Sequence, residues 1–318
     1  RDPEMSRGLG DVYKRQYQAS WDAGLAIIKS ELYSTSTDYF AIFDKKSNDA
    51  MIMARDYVSP EYTHDFTITN TTPSLAQTTN QGGEITPFLE FVENYQTLDG
   101  KIEKLKDKNP DGSPVYYESM ANIFANRDKR LAATVLYSGS EFKGKVTSIQ
   151  AGQKVWNQQT GSYDYITGMS LGDKDENELL IRGFDGPSED KNITNTGFYL
   201  KKFVSTSSDA GLSAVKASNY WPIFRYAEIL LNTAEAGFEL GKPQAIDYIN
   251  AIREDAGFGP NSLVSLTFED IIQERKVELA FEGHRYFDLK RWRLSEQIIN
   301  GVKYHGSVSY THLTLPTT

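Results

Sequence analysis

The stretch from Trp221 to Arg293 constrains the fold of this chain more than any other. In WPIFRYAEILLNTAEAGFELGKPQAIDYINAIREDAGFG, Pro222 suits a first helical position, and Ile223, Ala227, Leu230, Ala234 and Phe238 recur at intervals of four, three, four and four residues. That spacing predicts an amphipathic helix. Gly241 can take the left-handed conformation that ends it, and Pro243 opens a second helix with Ile246, Ile249 and Ile252 as its apolar stripe. Gly257, Gly259 and Pro260 then stop the chain. The product is an antiparallel helix pair over 222–257. It matches a tetratricopeptide unit in part: Ala245 takes the small packing position, Ile229, Ile249 and Ile252 take apolar places, and Thr233 stands where glycine is usual.

Downstream, Thr267 with Asp270 three residues later forms a capping box for a third helix, the start of a signature helix and turn over 267–293. Glu274, Glu278 and Glu282 follow at four-residue spacing with Arg275 and Arg285 beside them. So many charges next to Phe281, Phe287 and Trp292 predict a partly covered ion-pair network. Its expected role is to join helix faces, without catalysis.

The segments RYAEILLNTAEA, AIDYINAIRE and ERKVELAFEGHRYFDLKRW closely resemble the C-terminal signature of the SusD/RagB family, surface glycan-binding lipoproteins that partner TonB-dependent transporters. Weaker likenesses lie upstream. A helix from Tyr17 to Leu32, marked by Trp21, Leu25, Ile28 and Leu32, leads to the aromatic DYFAIF and a strand at Ala50 to Ala54. TPFLEFVENYQTLDGK carries Phe88, Phe91, Val92 and Tyr95 at helical spacing before a turn at Asp99 and Gly100. NRDKRL has Lys129 where the family has proline, followed by a β-rich Leu131 to Tyr137, and TGFYLKKF leads toward the helical signature. The likeness is loose between Ser59 and Gly83 and between Phe142 and Thr196. Thr63 to Gly83 reads as an irregular surface segment, and Phe142 to Asn195 as short strands and loops.

The resemblance implies a mainly α fold: a tetratricopeptide-like helical scaffold with irregular loop and short β insertions. It also implies non-catalytic binding of oligosaccharide or polysaccharide at the outer-membrane surface, delivery to a SusC-like TonB-dependent transporter, and no cofactor. The family carries a lipid-attachment cysteine after its signal peptide, whereas this sequence has no cysteine. Signal and anchor are therefore expected in a portion not present here. Arg1 to Gln16 and Ser309 to Thr318 read as adapter-like, non-native sequence, leaving 17–308 as the SusD-like region.

Composition narrows the partners. A net charge of -9 over 318 residues, with no Lys/Arg-rich patch, argues against nucleic acid, since phosphate binding needs a positive surface. The lack of cysteine excludes disulfides, thiolate metal sites and cysteine nucleophiles. His64, His284, His305 and His312 are scattered, with no HExxH spacing, and no GxSxG, Walker or GxGxxG motif occurs. DKNPDGSPVYYE, Asp107 to Glu118, satisfies the pattern of an EF-hand loop. Pro114, however, takes the eighth position, whose N–H normally pairs with a second loop, and no second loop is present. A plain polar turn is the expected reading, with no metal site.

Sugars present apolar C–H faces that lie on aromatic rings, while their hydroxyls need polar partners. KVWNQQTGSYDYITG offers Trp156, Asn157, Tyr163 and Tyr165 as ligand-binding candidates, with Gln158 and Asp164 nearby. The alternative is that Trp156 and Tyr165 are cross-strand packing partners in a small sheet. Tyr57 and Tyr62 are weaker candidates, and Trp221 and Trp292 belong to the buried scaffold. Two other functions stay open: a helical-repeat scaffold that binds protein, and a glycoside hydrolase, which needs two carboxyls about 5 to 10 Å apart across a cleft.

Overall fold

The computed structural model describes residues 3–76, 82–188, 192–207, 210 and 216–313, with backbone alone at 3–11 and 312–313. In its first half the elements are α1 (Pro3–Lys29), α2 (Ala41–Asp44), β1 (Met51–Arg55), α3 (Phe66–Asn70), α4 (Pro73–Ala76), α5 (Leu89–Glu93), α6 (Arg130–Thr134), β2 (Val135–Leu136), β3 (Glu141–Phe142) and β4 (Lys145–Val146). Then come β5 (Gln150–Asn157), β6 (Ser162–Thr167), β7 (Tyr199–Leu200), β8 (Trp221–Arg225), α7 (Tyr226–Glu239), α8 (Ala245–Asp255), α9 (Phe268–Glu278), α10 (His284–Arg291), α11 (Ser295–Ile299) and β9 (Ser309–Leu313). The fold is mainly α, with short strands paired β1–β8, β2–β7, β3–β4 and β6–β5–β9.

The predicted helix pair is α7 and α8, turning at Gly241 with φ of 66°. Ile229, Leu230, Leu231, Ala234, Ile249 and Ile252 are buried in one core cluster that also takes in Ile271 and Leu279. A side chain of that size stabilises by about 1.5–3 kcal/mol when fully buried. The close approach that a glycine at position 233 would allow comes instead from α1. A Cβ on Gly24 would lie 1.9 Å from Thr233 Oγ1, and a Cβ on Gly237 would lie 2.4 Å from the Trp21 ring and 3.0 Å from the Ala245 methyl. Thr233 tolerates its helical place because its hydroxyl donates to the Ile229 carbonyl at 2.7 Å. Helix α7 is thus the middle of a three-helix layer, α1–α7–α8.

Pro222 does not open α7. Trp221 to Arg225 runs extended as β8, antiparallel to β1, and α7 starts at Tyr226, whose N–H donates to the Ala50 carbonyl at 2.8 Å. Ile223, read as the first residue of the apolar stripe, is 53 % exposed. The strand places Arg225 beneath the signature helix. That helix is itself broken: its capping box at Thr267 and Asp270 is present, but Phe281 and Gly283 adopt φ of 63° and 85° between α9 and α10. The turn swings Glu282 back under Arg225.

The expected charge network is therefore buried rather than partly covered, and its cations come from distant segments. Arg130 donates to both Asp128 oxygens, to Glu278 at 2.7 Å and to Glu274. Arg225 spans Glu278 at 2.6 Å and both Glu282 oxygens at 2.7 and 2.8 Å. Lys202 reaches Glu282 and the Tyr39 hydroxyl, both at 2.7 Å. Arg275 pairs instead with Asp288 and Asn232. Burial alone would lower the pKa of Arg130 and Arg225, but the surrounding carboxylates win and hold both well above the ordinary value.

Lys129, at the family's proline position, donates its backbone N–H to the Ala256 carbonyl at 2.9 Å, a bond proline could not make. Thr63 to Gly83 is more ordered and more buried than its composition suggests: it forms α3 and α4, with Thr67 and Thr72 fully buried. Residues 77–81 of that segment, and 189–191 of the loop read at Asp185 to Asn195, lie outside the described residues. Leu131 to Thr134 are helical, so only Val135 and Leu136 bear out the β-rich reading. At the ends, α1 already runs from Pro3, and β9 pairs in parallel with β5. Helix α1 ends at Lys29, leaving Leu32 71 % exposed rather than on the helical face. Among the described residues, no helix is long and apolar enough to cross a membrane.

Candidate functional site

The hairpin β5–β6 carries the candidate site. Asn157 builds its turn: the side-chain carbonyl accepts from the N–H of Gln159 at 2.9 Å and Thr160 at 3.3 Å, and Gly161, with φ of 65°, donates to the Asn157 carbonyl. This turn sets the register Lys154↔Tyr165, Val155↔Asp164, Trp156↔Tyr163. Because side chains alternate between faces, Lys154, Trp156, Tyr163 and Tyr165 share one face, and Gln153, Val155, Asn157 and Asp164 share the other.

On the aromatic face the Trp156 and Tyr163 rings meet edge to face at 4.9 Å. Lys154 Nζ lies 4.8 Å from the Tyr163 ring centre and 5.6 Å from that of Tyr165. Tyr165 also packs against Tyr310 of β9 at 5.1 Å. Tyr116, from the polar turn, hydrogen-bonds Tyr163 through its side chain, and partial burial together with that bond raises its pKa. Trp156 stays 38 % exposed and Tyr165 60 % exposed. The rings therefore pack and present surface at once, so packing and platform are compatible.

The reverse face fixes the hairpin. Gln153 is buried and donates to Asp175 at 3.0 Å, and Gln150 donates to the Leu180 carbonyl at 2.7 Å. The Asn157 amide donates to Asp164 at 2.8 Å. Of the candidates read from sequence, Trp156, Tyr163 and Tyr165 come together, while Asn157 lies behind them with both its amide and its carbonyl engaged. The partner of Trp156 is Tyr163, one step along from the expected Tyr165. Lys154 was missed; its signal was the alternation Lys154, Trp156 opposite Tyr163, Tyr165.

A second, smaller aromatic surface lies at Tyr57 and Tyr62. Their rings stack at 5.0 Å and 9°, the Arg55 guanidinium lies 5.5 and 5.4 Å from the two centres, and the His64 ring abuts Tyr57 at 4.7 Å. Each tyrosine so spends one face on its neighbour. Trp221 and Trp292 are half-buried in the scaffold, against Phe203 and Phe268 respectively.

The segment Asp107 to Glu118 folds as a turn closed by its own hydrogen bonds. Asp111 accepts from the Ser113 N–H at 2.9 Å and its hydroxyl at 2.6 Å, and Asn109 N–H donates to the Ser113 carbonyl at 2.7 Å. Among the described residues no three His, Asp or Glu side chains converge on one point as a metal would require. His64 bonds the Asn219 carbonyl, His284 faces Glu228 at 3.6 Å, and His305 pairs with Glu90.

The sequence model of the SusD family matches residues 42–313. The chain is 37 % identical over 120 residues to SusD-like protein P2 of Formosa agariphila, covering 33 % of this chain and 24 % of that protein. It is 24 % identical over 231 residues to SusD-like protein P38 of the same organism, covering 68 % and 37 %. A SusD-like carbohydrate binding protein from Bacteroides fragilis NCTC 9343 superposes with a TM-score of 0.63 at 21 % identity, over 92 % of this chain and 52 % of that one. A second SusD-like protein of that organism gives 0.61 at 23 % identity, over 90 % and 53 %. At these identities the solved structures speak to the fold, and the chain spans about half their length. The family match covers most of the chain and the same fold returns from independent structures: the chain belongs to the SusD family.

Proposed function

We propose that this chain binds oligosaccharide or polysaccharide without turning it over, and that it does so at the cell surface, handing the glycan to a SusC-like TonB-dependent transporter in the outer membrane. The observation that carries the reading is the exposed face of β5–β6, where Trp156, Tyr163 and Tyr165 stand together in a SusD-family chain. A SusD-like relative of the same fold is described as carbohydrate binding. Stacking of a sugar on an exposed ring and hydrogen bonds from the adjoining Lys154 and Tyr116 fit such a ligand. Capture without turnover is the reading that the placement of the acids supports. Asp164 projects from the reverse face, and Asp128, Glu274, Glu278 and Glu282 are buried against arginine and lysine, out of reach of a substrate.

The test is calorimetric titration of soluble polysaccharides into the wild-type chain and into Trp156→Ala, with the mixtures assayed for released reducing sugar. The expected result is binding that Trp156→Ala weakens at least tenfold, about 1.4 kcal/mol, with no sugar released. Binding unaffected by the substitution would move the site elsewhere, and released sugar would make the chain an enzyme. Delivery is tested separately, by co-purification of the full protein with a TonB-dependent transporter from outer membranes; its absence there would remove the transport role and leave the binding.

A further inference from the structure

On the aromatic face, Lys154 takes part in none of the ion pairs found among the described residues. Opposite charges pair favourably across strands, so an acid facing it would be the ordinary neighbour. Tyr165 occupies that cross-strand place instead, and the next acid along, Asp164, points to the reverse face and binds Asn157. Two rings hold the ammonium, at 4.8 and 5.6 Å, on the face that also carries the partly exposed Trp156. A ring face attracts the charge but accepts no strong N–H···O bond, so the donors of the ammonium remain for an acceptor. The side chain is held in place while, among the described residues, its charge is left without a carboxylate.

From this we infer that the sugar bound at this face carries an oxyanion, the carboxylate of a uronic acid or a sulfate ester, which pairs with Lys154 while the sugar ring lies on Trp156. The inference rests on the glycan-binding reading above and names its ligand class. The net charge of -9 repels a polyanion at long range, but that field fades beyond about 8–10 Å in physiological salt, whereas a contact ion pair does not depend on it. A charge-assisted bond to a partly covered ammonium is roughly twice as strong as a neutral one. The position therefore selects charge at short range.

The full chain is screened against an array of neutral, uronate-bearing and sulfated glycans, and each binder is then compared with its carboxyl-reduced or desulfated form by calorimetry. Binders are expected among the acidic glycans, with neutralisation weakening them about tenfold or more. Lys154→Gln should remove the difference in affinity between the acidic and the neutralised form, while Lys154→Arg retains the preference and Trp156→Ala abolishes binding of both. Loss on carboxyl reduction alone assigns a uronate, and loss on desulfation alone a sulfate. Equal affinity for the acidic and neutralised forms, with Trp156→Ala still abolishing both, overturns the charge selection and leaves the platform. Binding to neutral glycans only has the same meaning. Binding indifferent to Trp156→Ala, or no binding on the array, overturns the platform itself and the inference with it.

Discussion

At Glu282, burial would favour the neutral acid, yet Arg225 and Lys202 outweigh it and hold the carboxyl at about 2 against an ordinary 4.5. As pH falls, the unfolded chain takes the proton first. The stability this group contributes is therefore complete above about pH 4.5 and is lost as pH falls through about 2. Glu282→Gln leaves two buried cations short of an anion and should cost about 3–5 kcal/mol near neutrality, measured by urea denaturation. The gap between wild type and variant should narrow toward pH 2 to 3; a gap independent of pH would contradict this assignment. Glu274 behaves oppositely, since burial outweighs Arg130 and Arg253 and raises its pKa. Glu274, Glu278 and Glu282 were legible from their four-residue spacing, whereas Asp128, which also holds Arg130, was not. Their partners were not: Arg130, Lys202 and Arg225 arrive from segments far off in sequence, while the adjacent Arg275 faces Asp288, because only the fold decides which guanidinium meets which carboxylate.

Among elements, the contact of α1 with α7 is the tightest constraint, because the Gly24 backbone lies against the Thr233 hydroxyl. In an exposed helix Gly→Ala stabilises by about 1 kcal/mol; at position 24 overpacking should reverse the sign and cost about 1–3 kcal/mol. In a Thr233→Ala background, Gly24→Ala should be close to neutral. Thermal denaturation of the four proteins measures the coupling, and additive effects would show that the helices separate freely. Sequence located α7 and α8 because their apolar stripes are long and periodic. It misplaced the start of α7, since Pro222 and Ile223 fit a helix as well as a strand until β1 pairs with them. The hairpin was similarly half legible: the alternation gave the strands, while the register, and with it the face of Asn157, depended on the turn that Asn157 and Gly161 make.

Across the whole molecule, stability and binding occupy different places. The buried network joins α6, β8 and the signature helix, whereas the aromatic face lies on a hairpin tied to the 173–183 loop through Gln150 and Gln153. Trp156→Ala should thus change unfolding free energy by no more than about 1 kcal/mol while removing glycan binding; equal losses of both would make Trp156 a packing residue. The measurement that bears most directly on the central claim is hydroxyl-radical footprinting of the chain with and without a bound glycan, read residue by residue by mass spectrometry. Protection of Trp156, Tyr163 and Tyr165, with Tyr57 and Tyr62 unchanged, is the predicted result. Protection at Tyr57 and Tyr62 with the hairpin still reactive would contradict it.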